Sequence, residues 1–236
     1  MKKIAIYVEG QTEAIFVVEL IKFLASPRTV EIEELSGFGG SSKLPRQFIE
    51  VSDETVGPGG ETTHYILVTN SSSDSRVVTD IRDNYENLKS KGFEKIIGLQ
   101  DVRPKRVDQT ERLRSGIASV LADKDDIGIR LAVIETEAWF LAENTHFLRL
   151  HSDLTNARVM EILDYLPAPQ SSHEIQTPAE DLKKLYSAVG MTYEKSKSDV
   201  QRAVSMLSFE ELSTNCSAHI DDLKELRNDL QGFFED

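Results

Sequence analysis

The stretch Lys3-Ile4-Ala5-Ile6-Tyr7-Val8-Glu9-Gly10-Gln11-Thr12-Glu13 decides the fold. Its apolar run, Ile4 to Val8, reads as a buried strand. An acid and a glycine end the run. The residues that follow, 13–24, are apolar except at Glu13, Glu19 and Lys22, and predict a mostly buried helix that Ser26-Pro27 stops. Glu9 then lies at the C-terminal end of a strand, where parallel α/β sheets place their sites. A helix starting near Gln11 puts Glu13 in its first turn, leaning back toward Glu9. Two carboxylates meeting there suit a hard divalent cation.

Outward from this stretch, strands and helices alternate. Residues 29–35 predict a half-exposed strand, followed by a glycine and serine loop over 36–42, and Gly57-Pro58-Gly59-Gly60 marks another loop. Residues 64–69 predict a buried strand, 75–91 a helix stopped by Gly92, 94–99 a strand, 108–121 a helix, and 129–134 a last strand running into a helix start at 135–142. After Asn144 only helical patterns remain, near 156–165, 178–187, 196–207 and 218–234. The predicted fold class is α/β: a mostly parallel sheet flanked by helices, with a helical C-terminal part. The predicted division is an α/β domain over 1–144 and a helical extension packed on it over 145–236.

The chain has 236 residues with 40 Asp and Glu against 27 Lys and Arg, a net charge of -13. That balance argues against a free-standing nucleic-acid binder, since phosphate contacts need concentrated cations. It leaves room for an enzyme that meets nucleic acid through metal ions or a partner's basic surface. The single cysteine, Cys216, excludes an intrachain disulfide and a cysteine-cluster zinc site. No apolar run approaches the roughly 20 residues of a membrane span. A cytoplasmic protein, with no membrane partner, is the expectation.

Three strands end in acids: at Glu9, at Asp101, and at Glu135 with Glu137. In a parallel sheet these ends share one edge. Converging carboxylates repel unless a cation or a shared proton compensates. Mg²⁺ or Mn²⁺ fits such a set, and phosphoryl transfer is the chemistry it favours. The competing structural reading is that acids are frequent here, and that acids in a helix first turn also favour the helix dipole without any function.

Strand, Glu9, Gly10 and an acid four residues after Glu9 resemble the first motif of TOPRIM domains, above all those of overcoming-lysogenization-defect (OLD) nucleases. The second TOPRIM motif is a strand ending in Asp-x-Asp; Asp101-Val102-Arg103 supplies the first acid and puts arginine at the second. Glu135-Thr136-Glu137 resembles the Ser-x-Glu of the OLD-type set with Glu for Ser. Lys195 or Lys197 is the nearest candidate for that set's late lysine. Val8 to Glu13 together with Ile134 to Ala142 also resembles a bacterial TOPRIM-like family, domain of unknown function 4276, over most of the chain. The resemblance implies a TOPRIM/Rossmann-like fold and a Mg²⁺-dependent enzyme acting on DNA or RNA phosphodiesters. It further implies a partner ATPase of the ABC or SMC type and a role in bacterial defence. On it, Glu9 acts as metal ligand or general base, Asp101 and Glu137 hold the metal, Glu13 and Glu135 support them, and Lys195 completes the catalytic set.

Arg103, Lys105 and Arg106, joined by Arg112 and Arg114, make a compact basic cluster, read as a phosphate-backbone clamp or as a solvated face. Gly37 to Lys43 fails the spacing of a phosphate loop. The five histidines lack metal-ligand spacing and read as surface or capping residues; Cys216 reads as an inert thiol; Trp139 and Phe140 read as core. Two functional classes remain: a metal-dependent nuclease or nuclease subunit, and a non-catalytic binding or regulatory subunit of an ATPase complex. Self-association is left open.

Overall fold

The computed structural model describes residues 1–73, 76–103 and 107–235. By its internal contacts the chain forms two units. The first comprises Met1–Gln100, Glu111–Leu131 and Asn228–Asp236; the second comprises Asp101–Thr110 and Ala132–Arg227.

The first unit is built on a six-stranded sheet of order β3-β2-β4-β1-β5-β6. Its strands are β1 (Lys2–Val8), β2 (Val30–Phe38), β3 (Gln47–Val56), β4 (His64–Asn70), β5 (Lys95–Asp101) and β6 (Ile127–Ala132). β1 runs parallel to β4 and β5, and β2 parallel to β4; β3 is the antiparallel edge strand, paired only with β2. β1 is buried from Ile4 to Val8, as its unbroken apolar run requires.

Helix α1 (Gln11–Ala25) carries the chain from β1 across β4 to β2, and α2 (Val77–Ser90) carries it from β4 across β1 to β5. These crossovers move in opposite directions, so right-handedness places the two helices on opposite sheet faces. β1 therefore exits at the switch point of the sheet. α2 closes tightly on β5 because Gly98 has no side chain: a Cβ there would lie 2.7 Å from Ile129 Cδ1 and 3.0 Å from Ile81 Cδ1. α3 (Thr110–Val120) follows a 3-10 turn at Val107–Gln109 and leads to β6.

The second unit is helical: α4 (Glu137–Ala142), α5 (His146–Leu150), α6 (Asn156–Leu163), α7 (Pro178–Ala188), α8 (Lys197–Met206) and the short α9 (Phe209–Glu211), which runs into a π-turn at Leu212–Cys216. α4 packs on α7 and on the 3-10 turn at Pro169–Glu174, α6 on α7, and α5 on α8. Trp139, Phe140, Phe147, Tyr186 and Tyr193 are fully buried, as expected for the first two. The final helix, α10 (Asp221–Glu235), has residues in both units. Among the described residues no helix is long and apolar enough to cross a membrane.

The structure extends the sequence reading in two places. β2 runs on to Phe38, so the glycine loop begins later than position 36. β3 is a ten-residue strand to which apolar periodicity assigns no element. It is an edge strand with no wholly buried position, and its acids obscure the alternation.

Candidate functional site

In the first unit, α1 starts at Gln11 with Gly10 as its N-cap, and Glu13 stands in the first turn. The Glu13 carboxylate turns back over the cap: a Cβ on Gly10 would lie 3.1 Å from its Oε2. Glu13 is buried, and Glu9 is half-buried. The Glu9 carbonyl accepts from Ser73 N–H at 3.1 Å, which ties the exit of β1 to the exit of β4.

In the second unit the chain leaves β6 through Ile134, whose φ of +70° is unfavourable for a β-branched residue. This turn ends the strand at Ala132, two residues before the apolar run ends, and delays α4 to Glu137. Asp101 secures the turn: its Oδ1 accepts from the Thr136 backbone N–H at 3.0 Å and from the Thr136 hydroxyl at 3.2 Å. Strained backbone held by a carboxylate is typical of sites that fix neighbouring side chains.

The side chains so fixed are Glu135 and Glu137. Glu137 is wholly buried. Its Oε1 accepts from Lys195 Nζ at 2.9 Å and from the Tyr193 hydroxyl at 3.1 Å. Its Oε2 is buried without a hydrogen-bond partner. Glu135 Oε1 pairs with Arg103 Nη1 at 2.8 Å and lies 4.0 Å from Lys195 Nζ, while its Oε2 faces the Ala179 N–H at 3.4 Å in the first turn of α7. Burial disfavours the charge on Lys195, but Glu137, then Glu135 and Asp101, outweigh it and raise the ammonium above its ordinary range. One lysine thus answers three carboxylates.

Lys195 itself adopts φ +55°. Asp199 holds its loop: the carboxylate accepts from Glu194 N–H at 3.0 Å and from the Ser196 hydroxyl at 2.8 Å, and Arg202 pairs with it at 2.6 Å. The Glu194 and Ser196 hydrogen bonds depress the Asp199 carboxyl below its usual range.

Asp101, Arg103, Glu135, Glu137 and Lys195 are thus gathered in the second unit, and Glu9 with Glu13 in the first. Among the described residues Lys195, not Lys197, carries the ion pairs to the acids. Arg103 takes an acid as partner and donates through Nη2 to the Gln176 carbonyl at 3.1 Å. Lys105 and Arg106 lie outside the described residues. Arg112 and Arg114 belong to α3 of the first unit. Sequence reasoning missed Thr136, Tyr193 and Asp199. Only Asp199 had a readable signal, the Ser196-x-x-Asp199 pattern that caps α8 through the 3.2 Å bond from Asp199 N–H to Ser196 Oγ.

The expectation of surface or capping histidines needs correction for two residues. His64 and His146 are buried. His146 Nδ1 lies 2.6 Å from the Glu143 carbonyl, its Nε2 has no partner, and burial lowers its pKa to about 4. Cys216 is the inert thiol expected: burial, then the charges of Glu143 and Glu211, push it up to about 12.

No family model, no curated protein and no solved structure matches the chain.

Proposed function

We propose that the chain is a TOPRIM-like, metal-dependent nuclease, or the nuclease subunit of an assembly, hydrolysing nucleic-acid phosphodiester bonds. The observation that carries this reading is the Glu137–Lys195–Glu135 cluster, with Asp101 acting on the same lysine. Buried acids and a tethered ammonium in one place suit a transferring phosphoryl group.

Mg²⁺ or Mn²⁺ fits the donor chemistry: the oxygens are hard, and Glu137 Oε2 is buried without a hydrogen-bond partner. Among the described residues no three acidic, imidazole or thiol groups are placed to hold a metal by themselves. Mg²⁺ in phosphoryl-transfer sites commonly needs only one or two carboxylates, the rest coming from water and substrate phosphates. Asp101 and Glu137 are the ligands of choice, with Glu135 beside them in the second unit; Glu9 and Glu13 are ligand candidates on the sequence motifs alone. When bound, the ion supplies Lewis acidity and an activated water.

The chain's own residues do the rest. Tyr193 and Lys195 hold the Glu137 carboxyl oriented. Lys195 stays protonated and neutralises charge developing on the phosphate. Arg103, half-exposed and steered by Glu135, offers guanidinium N–H groups to a phosphate oxygen. Glu9 serves as ligand or general base. An ABC- or SMC-type ATPase partner, a cytoplasmic location and a role in bacterial defence go with this reading on the strength of the motif resemblance.

Purified protein incubated with plasmid DNA, single-stranded DNA and RNA in Mn²⁺ tests it. Glu137→Gln and Glu9→Gln are each expected to lower cleavage by about 100-fold or more. Cleavage unchanged in both variants sinks the assignment. One observation favours a non-catalytic subunit instead: Arg103 stands where the second motif wants an acid, and it is tied to Glu135. Absence of both Mn²⁺ binding by calorimetry and cleavage, with copurification of an ATPase, establishes that reading.

A further inference from the structure

A cavity of about 290 Å³ lies on the α2 face of the sheet in the first unit. The strand register orders its floor into three levels: Lys3, Tyr65 and Glu31, then Leu67 and Glu33, then Tyr7, Thr69 and Leu35. Same-face residues repeat every two positions, so successive levels stand about 7 Å apart. Asn84 and Leu88 of α2 and Phe48 of β3 wall the cavity, and exposed Lys91, just past α2, completes it. The Phe48 ring is held by the Tyr7 ring at 6.5 Å and by the Arg46 guanidinium at 5.0 Å, which pairs in turn with Asp80.

The two ends differ in chemistry. Lys3, Lys91, Glu31 and Glu33 bring both signs of charge to the first two levels. Lys91 acts on Glu33 through space, yet Glu31, Glu33 and Lys91 form no ion pair among the described residues. Lys3 donates one N–H to the Lys91 carbonyl at 3.1 Å and lies 6.0 Å from the Tyr65 and Phe93 ring centroids. Glu33 accepts from the Tyr65 hydroxyl. The lining of the third level is uncharged. There Thr69 is 1% exposed, and its hydroxyl lies beside the Tyr7 phenol without a hydrogen bond of normal geometry. A buried hydroxyl without a partner is unfavourable, and a ligand group that reaches it removes the penalty.

We propose that this cavity binds a free α-amino acid with a para-hydroxyphenyl side chain, the chemistry of tyrosine. The first two levels select the head group. Opposite charges that face one cavity without meeting fit a zwitterion, whose ammonium reaches Glu33 with Glu31 beside it, and whose carboxylate reaches Lys91 with Lys3 beside it. Leu67, Leu88 and the Phe48 ring suit an aromatic body. The third level selects the para hydroxyl. Thr69 stands one level beyond Glu33, about 7 Å along the strand, which is the span of a para-hydroxyphenyl side chain from its α-carbon to its hydroxyl. A cavity of this volume is at the small end of ligand pockets and fits one amino acid. The site lies in the first unit, uses none of the residues assigned to phosphoryl transfer, and holds whether or not the protein cuts nucleic acid.

Titration of the full chain with free tyrosine, phenylalanine, tyramine and para-hydroxyphenylpropionate, followed by NMR, tests the proposal. Tyrosine is expected to bind with a Kd at or below about 1 mM. The others lack the hydroxyl, the carboxylate or the ammonium in turn, and each is expected to bind about tenfold or more weakly. Thr69→Val is expected to lower the affinity for tyrosine to that for phenylalanine and to leave phenylalanine unchanged. Lys91→Met is expected to weaken tyrosine and leave tyramine unchanged. A thermal melt checks folding; Lys91 is exposed, so its variant keeps the proposal open to refutation if Thr69→Val does not fold. No binding of tyrosine at about 1 mM, phenylalanine or tyramine binding as tightly as tyrosine, or an unchanged tyrosine affinity in either folded variant overturns the proposal.

Discussion

Glu137 in the second unit and Glu33 in the first are both carboxylates in restricted surroundings, but their neighbours differ in kind. Glu137 is wholly buried and receives an ammonium and a phenol hydroxyl. Glu33 is half-buried, receives one phenol hydroxyl, and has three further acids on its face of the sheet. A buried carboxylate without a partner loses its charge by shifting its pKa. One with a partner keeps its charge and becomes dependent on that partner. The first cluster is therefore locked by its ion pairs, while Glu33 shares its cavity with Lys3 and Lys91 without pairing to either. That difference is why chemistry is assigned to the first.

The strongest way to break the comparison is to remove the lock. Lys195→Met leaves the Glu137 charge buried and is expected to cost about 3 kcal/mol. Tyr193→Phe, which removes one charge-assisted hydrogen bond, should cost about 1–2 kcal/mol. Adding Glu137→Gln to Lys195→Met should restore much of the first loss, so that the double variant loses less than the sum of the two single variants in a double-mutant cycle. Urea unfolding at neutral pH measures all three. A loss below about 0.5 kcal/mol for Lys195→Met would mean that something other than the lysine compensates Glu137, and the ion pair would no longer support the catalytic reading.

How much of this was legible depended on burial. β1, β4 and β5 are buried apolar runs, and such runs betray themselves in any sequence. β3 has no wholly buried position, so its letters follow solvent and charge and not the pleat. The positions of the acids at the exits of β1, β5 and β6 were legible because each follows an apolar run whose end the sequence marks. Their partners were not. Thr136 donates to Asp101 across 35 positions of sequence, and Tyr193 to Glu137 across 56. Nothing local marks either residue. The positive φ of Ile134 is hidden for the same reason: an isoleucine in that conformation contradicts its own preference, and only the surroundings impose it.

A second test sharpens the contrast through pH. His146 is buried neutral, and its pKa falls from the ordinary 6.5 to about 4. The unfolded chain therefore binds a proton that the folded chain refuses. Stability is fully present above about pH 6.5 and is lost as the pH falls toward 4, by about 2 kcal/mol at pH 5. Asp199, whose carboxyl is depressed, acts in the same direction but only below the ordinary carboxylate range. Unfolding free energies of wild type and His146→Gln compared at pH 7.5 and 5 isolate the histidine. The variant should lose most of the slope between those two values; an unchanged slope would place the proton uptake elsewhere.

The smallest expected effect belongs to Glu31 and Glu33, and its sign is the informative part. The folded pKa of Glu33 is raised, so ionising it weakens the fold as the pH rises from the unfolded value through the folded one. Glu31→Gln/Glu33→Gln should thus leave stability at pH 7 unchanged or raise it, within about 0.5 kcal/mol. Added salt should narrow the gap by screening the same repulsion. If the double variant were instead clearly less stable, the hydroxyl that Tyr65 donates to Glu33 would outweigh the repulsion, and the acids would be part of the fold's own bonding.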